Sequence, residues 1–145
     1  MATRAFICSR IDSPTGSTND VKLIYIHNGH PSDIGDELLS KYDDESALLS
    51  LIDGGDMSCF GKDGIASAPD YYKDHDGEDW EKIKPSIWDA DDAIERAPES
   101  DVEYVFIRQA DGWFVTCTRG YDAGFDLMPL KDAMEMIDAD EEGLW

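Results

Sequence analysis

The apolar positions of this chain fall into two strand-like runs near its start, two helical stripes after them, and two more strands and a third stripe toward its end. Residues 3–10 (Thr-Arg-Ala-Phe-Ile-Cys-Ser-Arg) read as a strand, Ser13, Pro14, Thr15 and Gly16 supply turn chemistry, and residues 21–27 read as a second strand. The pair predicts a hairpin with a long loop. Ser32 is placed to cap a short helix whose Ile34, Leu38 and Tyr42 share one face at i, i+4, i+8 spacing, with Asp36, Glu37 and Lys41 elsewhere around it. A second helix starts near Asp43 or Asp44. Its Ala47, Leu48, Leu51 and Ile52 form the inward stripe, and Gly54 and Gly55 end it by permitting positive φ.

Residues 57–85 are punctuated by glycine and proline and show no clear period, which predicts a long acidic surface segment. Asp89 reads as the cap of a brief helix through Arg96, with Asp92 as its capping-box partner and Pro98 closing it. Strands are predicted over residues 102–108 and 113–118, because Ala110-Asp111-Gly112 between them is a tight-hairpin signal. Pro129 opens the last helix, with Leu130, Ala133, Met134 and Ile137 facing inward and Lys131, Asp132, Glu135 and Asp138 facing water. Together these elements predict one acidic α+β domain over residues 1–145. Its antiparallel sheet consists of two hairpins, about four strands, covered on one face by three to four short helices.

Charge changes the picture most. Thirty-three acidic side chains stand against twelve basic ones, a formal net charge of −21. Four Trp, six Tyr and five Phe among 41% hydrophobic residues exclude a disordered acidic tail, so the charge coats a fold. Cys8, Cys59 and Cys117 are odd in number and lack a C-x-x-C, which predicts free thiols in a reducing cytoplasm. No apolar run approaches the ~20 residues of a membrane span, and an acidic surface is repelled by anionic lipid, so no membrane partner is expected.

The candidate chemistries are few. His27, His30 and Asp33 have metal-ligand types at close spacing, but Asn28, Gly29 and Pro31 between them are turn formers and no fourth ligand is near. Asp74, Asp76 and Gly77 resemble part of a calcium loop. With Gly77 sixth, Tyr72 would stand first and Ile83 twelfth, so the loop lacks its initial Asp and its bidentate Glu. No metal and no cofactor is expected. His75 reads as a surface residue among carboxylates. Cys8 and His27 would be neighbours across the first hairpin in an enzymatic reading, although strand cysteines are usually small core residues. The chain has no P-loop, no G-x-G-x-x-G and no G-x-S-x-G.

A surface made only for solubility mixes both signs. Here Asp89, Asp91, Asp92, Glu95, Glu99, Asp101 and Glu103 meet only Arg96, and Asp138, Asp140, Glu141 and Glu142 meet no base. Duplex DNA carries a negative charge about every 1.7 Å of axis, and helix side chains at i and i+4 lie ~6 Å apart, so ranked carboxylates can approximate a row of phosphates. The partner-binding candidates are Asp74, Asp76, Glu78, Asp79 and Glu81 in one group and Asp89, Asp91, Asp92 and Glu95 in another. The expected partner is a positively charged nucleic-acid-binding protein, with no direct contact to nucleic acid.

Residues 24–42 (Ile-Tyr-Ile-His-Asn-Gly-His-Pro-Ser-Asp-Ile-Gly-Asp-Glu-Leu-Leu-Ser-Lys-Tyr) and 48–58 (Leu-Leu-Ser-Leu-Ile-Asp-Gly-Gly-Asp-Met-Ser) carry a resemblance. They resemble a group of small bacteriophage proteins whose pattern is a strand, a His-x-Asp/Asn-Gly-Tyr-Pro turn, a glycine, a Leu-Leu helix and a Gly-Asp-x-Ser stop. The likeness covers about the first 60 residues; here the turn is one residue shorter and His30 stands in place of the Tyr. It implies a phage origin and assigns no activity. With the charge, it leads to the expectation of a non-enzymatic counter-defence protein in the cytoplasm of an infected bacterial host, resembling acidic DNA mimics that block CRISPR effectors and restriction enzymes. The alternatives are a small cytoplasmic enzyme with Cys8, His27 or His30 in a pocket, and a phage structural or assembly protein; monomer and dimer both stay open.

Overall fold

Eight strands and five helices make up the described chain, residues 3–11, 19–60, 68–75, 77–118 and 125–141 of a computed structural model. In chain order they are β1 (Ala5–Arg10), β2 (Asp20–Ile26), α1 (Pro31–Lys41), α2 (Glu45–Asp53), β3 (Met57–Phe60), β4 (Pro69–Tyr71) and α3 (Trp80–Ile83). There follow β5 (Ser86–Asp89), α4 (Ala90–Arg96), β6 (Tyr104–Gln109), β7 (Gly112–Cys117), β8 (Phe125–Pro129) and α5 (Leu130–Glu141), with 3-10 turns at Tyr72–Asp74 and Ala97–Ser100.

All eight strands join one mixed sheet in the order β4-β3-β2-β1-β6-β7-β8, with β5 also paired to β2. This overturns the four-stranded antiparallel sheet of two hairpins. Both hairpins exist, β1 with β2 and β6 with β7, but they meet through a parallel pairing of β1 with β6, and β3 joins β2 in parallel as well. The segment 57–85, expected as irregular surface, contributes β3, β4 and α3. Its strands are three or four residues long, too short to show a period. The turn expected at residues 13–16 lies outside the described residues.

Helices cover both faces of the sheet, which corrects the one-sided arrangement. The cause is in the two central strands, whose consecutive positions are apolar. Ala5 and Ile7 with Tyr104 and Phe106 face α1, α2 and α5, while Phe6 and Cys8 with Val105 and Ile107 face α4. The first layer is built largely as the helical spacing predicts: Ile34, Leu38, Leu48, Leu51, Ile52, Leu130 and Ala133 are buried, with Tyr42, Met134 and Ile137 packed at its margin, while Ala47, also expected in the stripe of α2, is only half-buried.

The helix ends follow local chemistry. His30, not Ser32, caps α1: its Nδ1 accepts from the Ser32 backbone N–H at 3.0 Å, with Pro31 at the first helical position. Asp44 caps α2 through the Ala47 N–H at 3.0 Å, and Gly55 after that helix takes φ +85.

β5 and β3 lie end to end along the outer edge of β2, and Asp56 joins them. Along that edge β5 pairs with residues 20–23 of β2, and the His27 N–H reaches the Met57 carbonyl of β3. The Tyr25 N–H falls in the gap, where the Asp56 carboxylate accepts it at 2.9 Å. The Asp56 backbone holds both flanks, its N–H donating to the Ile83 carbonyl at 2.7 Å and its carbonyl accepting from the Tyr72 N–H at 3.0 Å. Burial pushes the Asp56 carboxyl up to about 6, and the Tyr25 N–H offsets only part of that.

Candidate acidic interface

The two acidic groups sit at opposite ends of β5. Glu78, Asp79 and Glu81 precede it on and before α3, and Asp89, Asp91, Asp92 and Glu95 follow it on α4. The strand itself spans only ~10 Å at ~3.3 Å per residue. Asp74 is exposed at the end of the first 3-10 turn, and Asp76 lies outside the described residues.

Each group has internal structure. Asp79 caps α3, its carboxylate accepting from the Glu81 N–H at 3.1 Å, and Glu81 pairs with Lys84 at 2.7 Å. Asp89 caps α4 by accepting from the N–H groups of Asp91 and Asp92 at 2.9 and 3.3 Å. The Asn19 amide donates to both Asp89 and Asp91, at 3.1 and 3.3 Å. Asp89 is therefore a structural acid as well as a charged one. Asp92 serves as a donor to that cap, not as a reciprocal capping-box acceptor.

Asp91, Asp92 and Glu95 are exposed on the outer face of α4, while Ala90, Ala93 and Ala97 are buried beneath it. Glu95 lies four residues from Asp91 and three from Asp92, so it neighbours both of them, at roughly 5–6 Å between Cβ atoms. Arg96 does not neutralise them. Its guanidinium lies over the Trp88 ring at 5.2 Å and is 3.8 Å from Glu99. The helix is fixed to the sheet from below by Trp88, whose ring meets Phe6 edge-on at 5.9 Å.

Two exposed apolar residues, one within the first acidic group and one between the two groups, were not singled out from the sequence. Ile87 on β5 is 50% exposed, and Trp80 on α3 is 43% exposed. The adjacent β-formers Ile87 and Trp88 directly before the Asp89 cap were the available signal for β5.

The other candidate chemistries are taken apart by the register. Cys8 stands opposite Leu23 and Ala5 opposite Ile26, so Cys8 and His27 are four positions, ~13 Å, apart along the hairpin. The Cys8 thiol is fully buried, and burial pushes its pKa up, away from nucleophilic character. His27 Nδ1 meets the Tyr25 hydroxyl at 2.9 Å, and His30 is engaged in its cap and edge-on to Tyr104 at 5.5 Å. His75 Nε2 lies 2.9 Å from the Asp70 carboxylate. Among the described residues, no three His, Cys, Asp or Glu side chains converge as a metal site would require, and no helix is long and apolar enough to cross a membrane.

No protein-family model, no curated protein and no solved structure matches this chain.

Proposed function

We propose that this protein is a phage-encoded, non-enzymatic inhibitor that occupies the positively charged nucleic-acid-binding surface of a host defence complex or DNA-binding protein, of the anti-CRISPR or anti-restriction kind. It acts in the cytoplasm of the infected host. The observation that carries the reading is α4: a helix plated onto the sheet by alanines, presenting Asp91, Asp92 and Glu95 outward, with its one arginine held over Trp88. Lys and Arg side chains that grip phosphates meet carboxylates instead, and association is fast and salt-dependent for the same electrostatic reason.

The test begins with capture of the host target at low salt and continues as a competition between this protein and duplex DNA or RNA for that target. The Asp91/Asp92/Glu95→Lys variant is expected to lose affinity, and wild-type affinity to fall as salt rises. Simultaneous binding of nucleic acid and this protein, with no loss of either, rejects mimicry; unchanged affinity of the variant rejects α4 as the contact.

A further inference from the structure

We propose that the outer edge of β5 is a strand-addition site for an extended segment of the partner protein, apolar at alternate positions and flanked by Lys or Arg. The inference rests on the reading of a cationic protein partner and specifies how that partner is held.

The hydrogen-bond alternation shows which groups β5 presents. The Ala90 N–H donates to the Asn19 carbonyl directly opposite it at 2.8 Å, immediately beyond the Asp20–Asp89 pair. In an antiparallel ladder bonded pairs alternate, so Trp88 with Val21 and Ser86 with Leu23 face each other through hydrogen bonds. The N–H and C=O of Ile87 therefore point away from β2, as does the backbone N–H of Asp89. Among the described residues, β2 is the only strand with which β5 pairs. An outward row of this kind is a template for another strand.

The side chains give that template an anchor. Ile87 stands opposite Lys22, on the sheet face where Lys22 reaches Asp53 at the end of α2. Trp80 borders the same place: a Cβ added to Gly55, two residues beyond α2, would meet its ring at 2.9 Å. Two large apolar side chains, each with about half its surface in water, thus flank one helix end beside an open strand edge. Glu78 and the Lys84-paired Glu81 lie ahead of this edge and Asp91 and Asp92 lie beyond it, so basic residues at both ends of an added strand find carboxylates, with the stronger attraction at the α4 end. The ~10 Å span of β5 sets a core of four or five added residues between those bases. An arginine-rich or lysine-rich chain without apolar alternation lacks the anchor, and an apolar strand without basic ends is opposed by nothing but gains no steering.

The probes are two synthetic peptides with the same basic residues, KRVTVTVKR and KRVPVPVKR, titrated into the full chain and followed by amide NMR. The first can form a strand; the prolines of the second remove two backbone donors and favour a polyproline II course, whose three-residue turn keeps the valines off a single face. We expect KRVTVTVKR to bind about tenfold or more tightly than KRVPVPVKR, shifting the Ile87 and Asp89 amides and protecting them from exchange. Ile87→Pro, which removes an outward donor and leaves the pairs to β2 bonded, is expected to abolish that preference. Should the variant fold poorly, the peptide pair makes the same comparison on the unaltered protein. Equal binding of both peptides, with shifts spread over α4, overturns strand addition and leaves the acidic-surface reading standing. Binding of neither peptide overturns both.

Discussion

The layer formed by α1, α2 and α5 meets the sheet through Ile34, Leu38, Leu48, Leu51, Ile52 and Leu130, whereas α4 meets the opposite face through Ala90, Ala93 and the following Ala97. Large side chains fill space between a helix and a sheet and bury area in proportion; alanines let the helix lie close and bury little. The first layer therefore supplies most of the apolar stabilisation. The second holds a short helix close against the sheet, where its outer carboxylates have a fixed geometry. Stability and display are assigned to opposite faces, and substitutions on the two faces should separate them.

The largest effect is expected in the thick layer. Leu48 is fully buried within the main cluster, so Leu48→Ala should cost ~2 to 5 kcal/mol, as a cavity does. The denaturation midpoint measures it. An unchanged midpoint would show that α2 is not part of the core and would dissolve the contrast between the layers.

Next in size is the Asp56 junction, which ties the chain just after α2 to β2 through the Tyr25 N–H and to the end of α3 through the Ile83 carbonyl. Asp56→Ala strands the Tyr25 N–H and should cost ~1 to 3 kcal/mol. Asp56→Asn keeps an acceptor and removes the titration. The folded-state pKa is raised from 3.8 to about 6, so the folded form retains the proton where the unfolded chain has lost it. Wild type is then as stable as the variant's neutral side chain permits below about pH 4, and loses stability relative to Asp56→Asn as pH rises through about 6. Urea unfolding of both proteins at intervals across that range reads the difference; parallel curves would show that the carboxylate is solvated.

These two sites also mark what was legible in the sequence. The stripes of α1, α2 and α5 could be read because eight or more residues sample a helical period several times. Asp56 follows two glycines and looks like a turn residue, since nothing local indicates that it fills a gap between two strands brought together from residues 57 and 86. The parallel pairing of β1 with β6 joins positions about a hundred residues apart, and its only trace in the sequence is the apolar run at both, Ala-Phe-Ile-Cys and Tyr-Val-Phe-Ile, the mark of strands covered on both faces. The Asp89 cap was legible for the opposite reason: a cap is a property of four adjacent residues.

That cap gives the third effect. Asp89→Ala removes the acceptor for the Asp91 and Asp92 N–H groups and the Asn19 amide, and should cost ~1 kcal/mol, with Asp89→Asn and Asp89→Ser retaining most of it. A loss of target binding on altering Asp89 would thus conflate a loosened helix with a missing charge. Thermal midpoints of the three variants distinguish the two roles. Equal midpoints for Asp89→Ala and wild type would mean that α4 is held by its packing on the sheet and Trp88, without the cap.

The smallest stability effect should accompany the largest functional one. Asp91, Asp92 and Glu95 are exposed, and Asp89 already satisfies the Asp91 and Asp92 N–H groups, so replacement by lysine removes only the exposed bond that Asp91 accepts from the Asn19 amide. Acidic side chains near the helix start do favour its dipole, worth ~0.3 to 1 kcal/mol, and reversal at Asp91 and Asp92 gives that up. Against this, the substitution exchanges three negative charges for positive ones on a chain of net charge −21 and relieves repulsion across the whole surface. The two contributions oppose each other, and the expected net change is within ~0.5 kcal/mol, as for surface substitutions generally. Raising salt screens the long-range repulsion before the local dipole contact, so the variant's advantage over wild type should shrink with salt. A destabilisation above ~1.5 kcal/mol would mean that the outer face of α4 carries structural contacts, and the division between a face that stabilises and a face that displays would fail there.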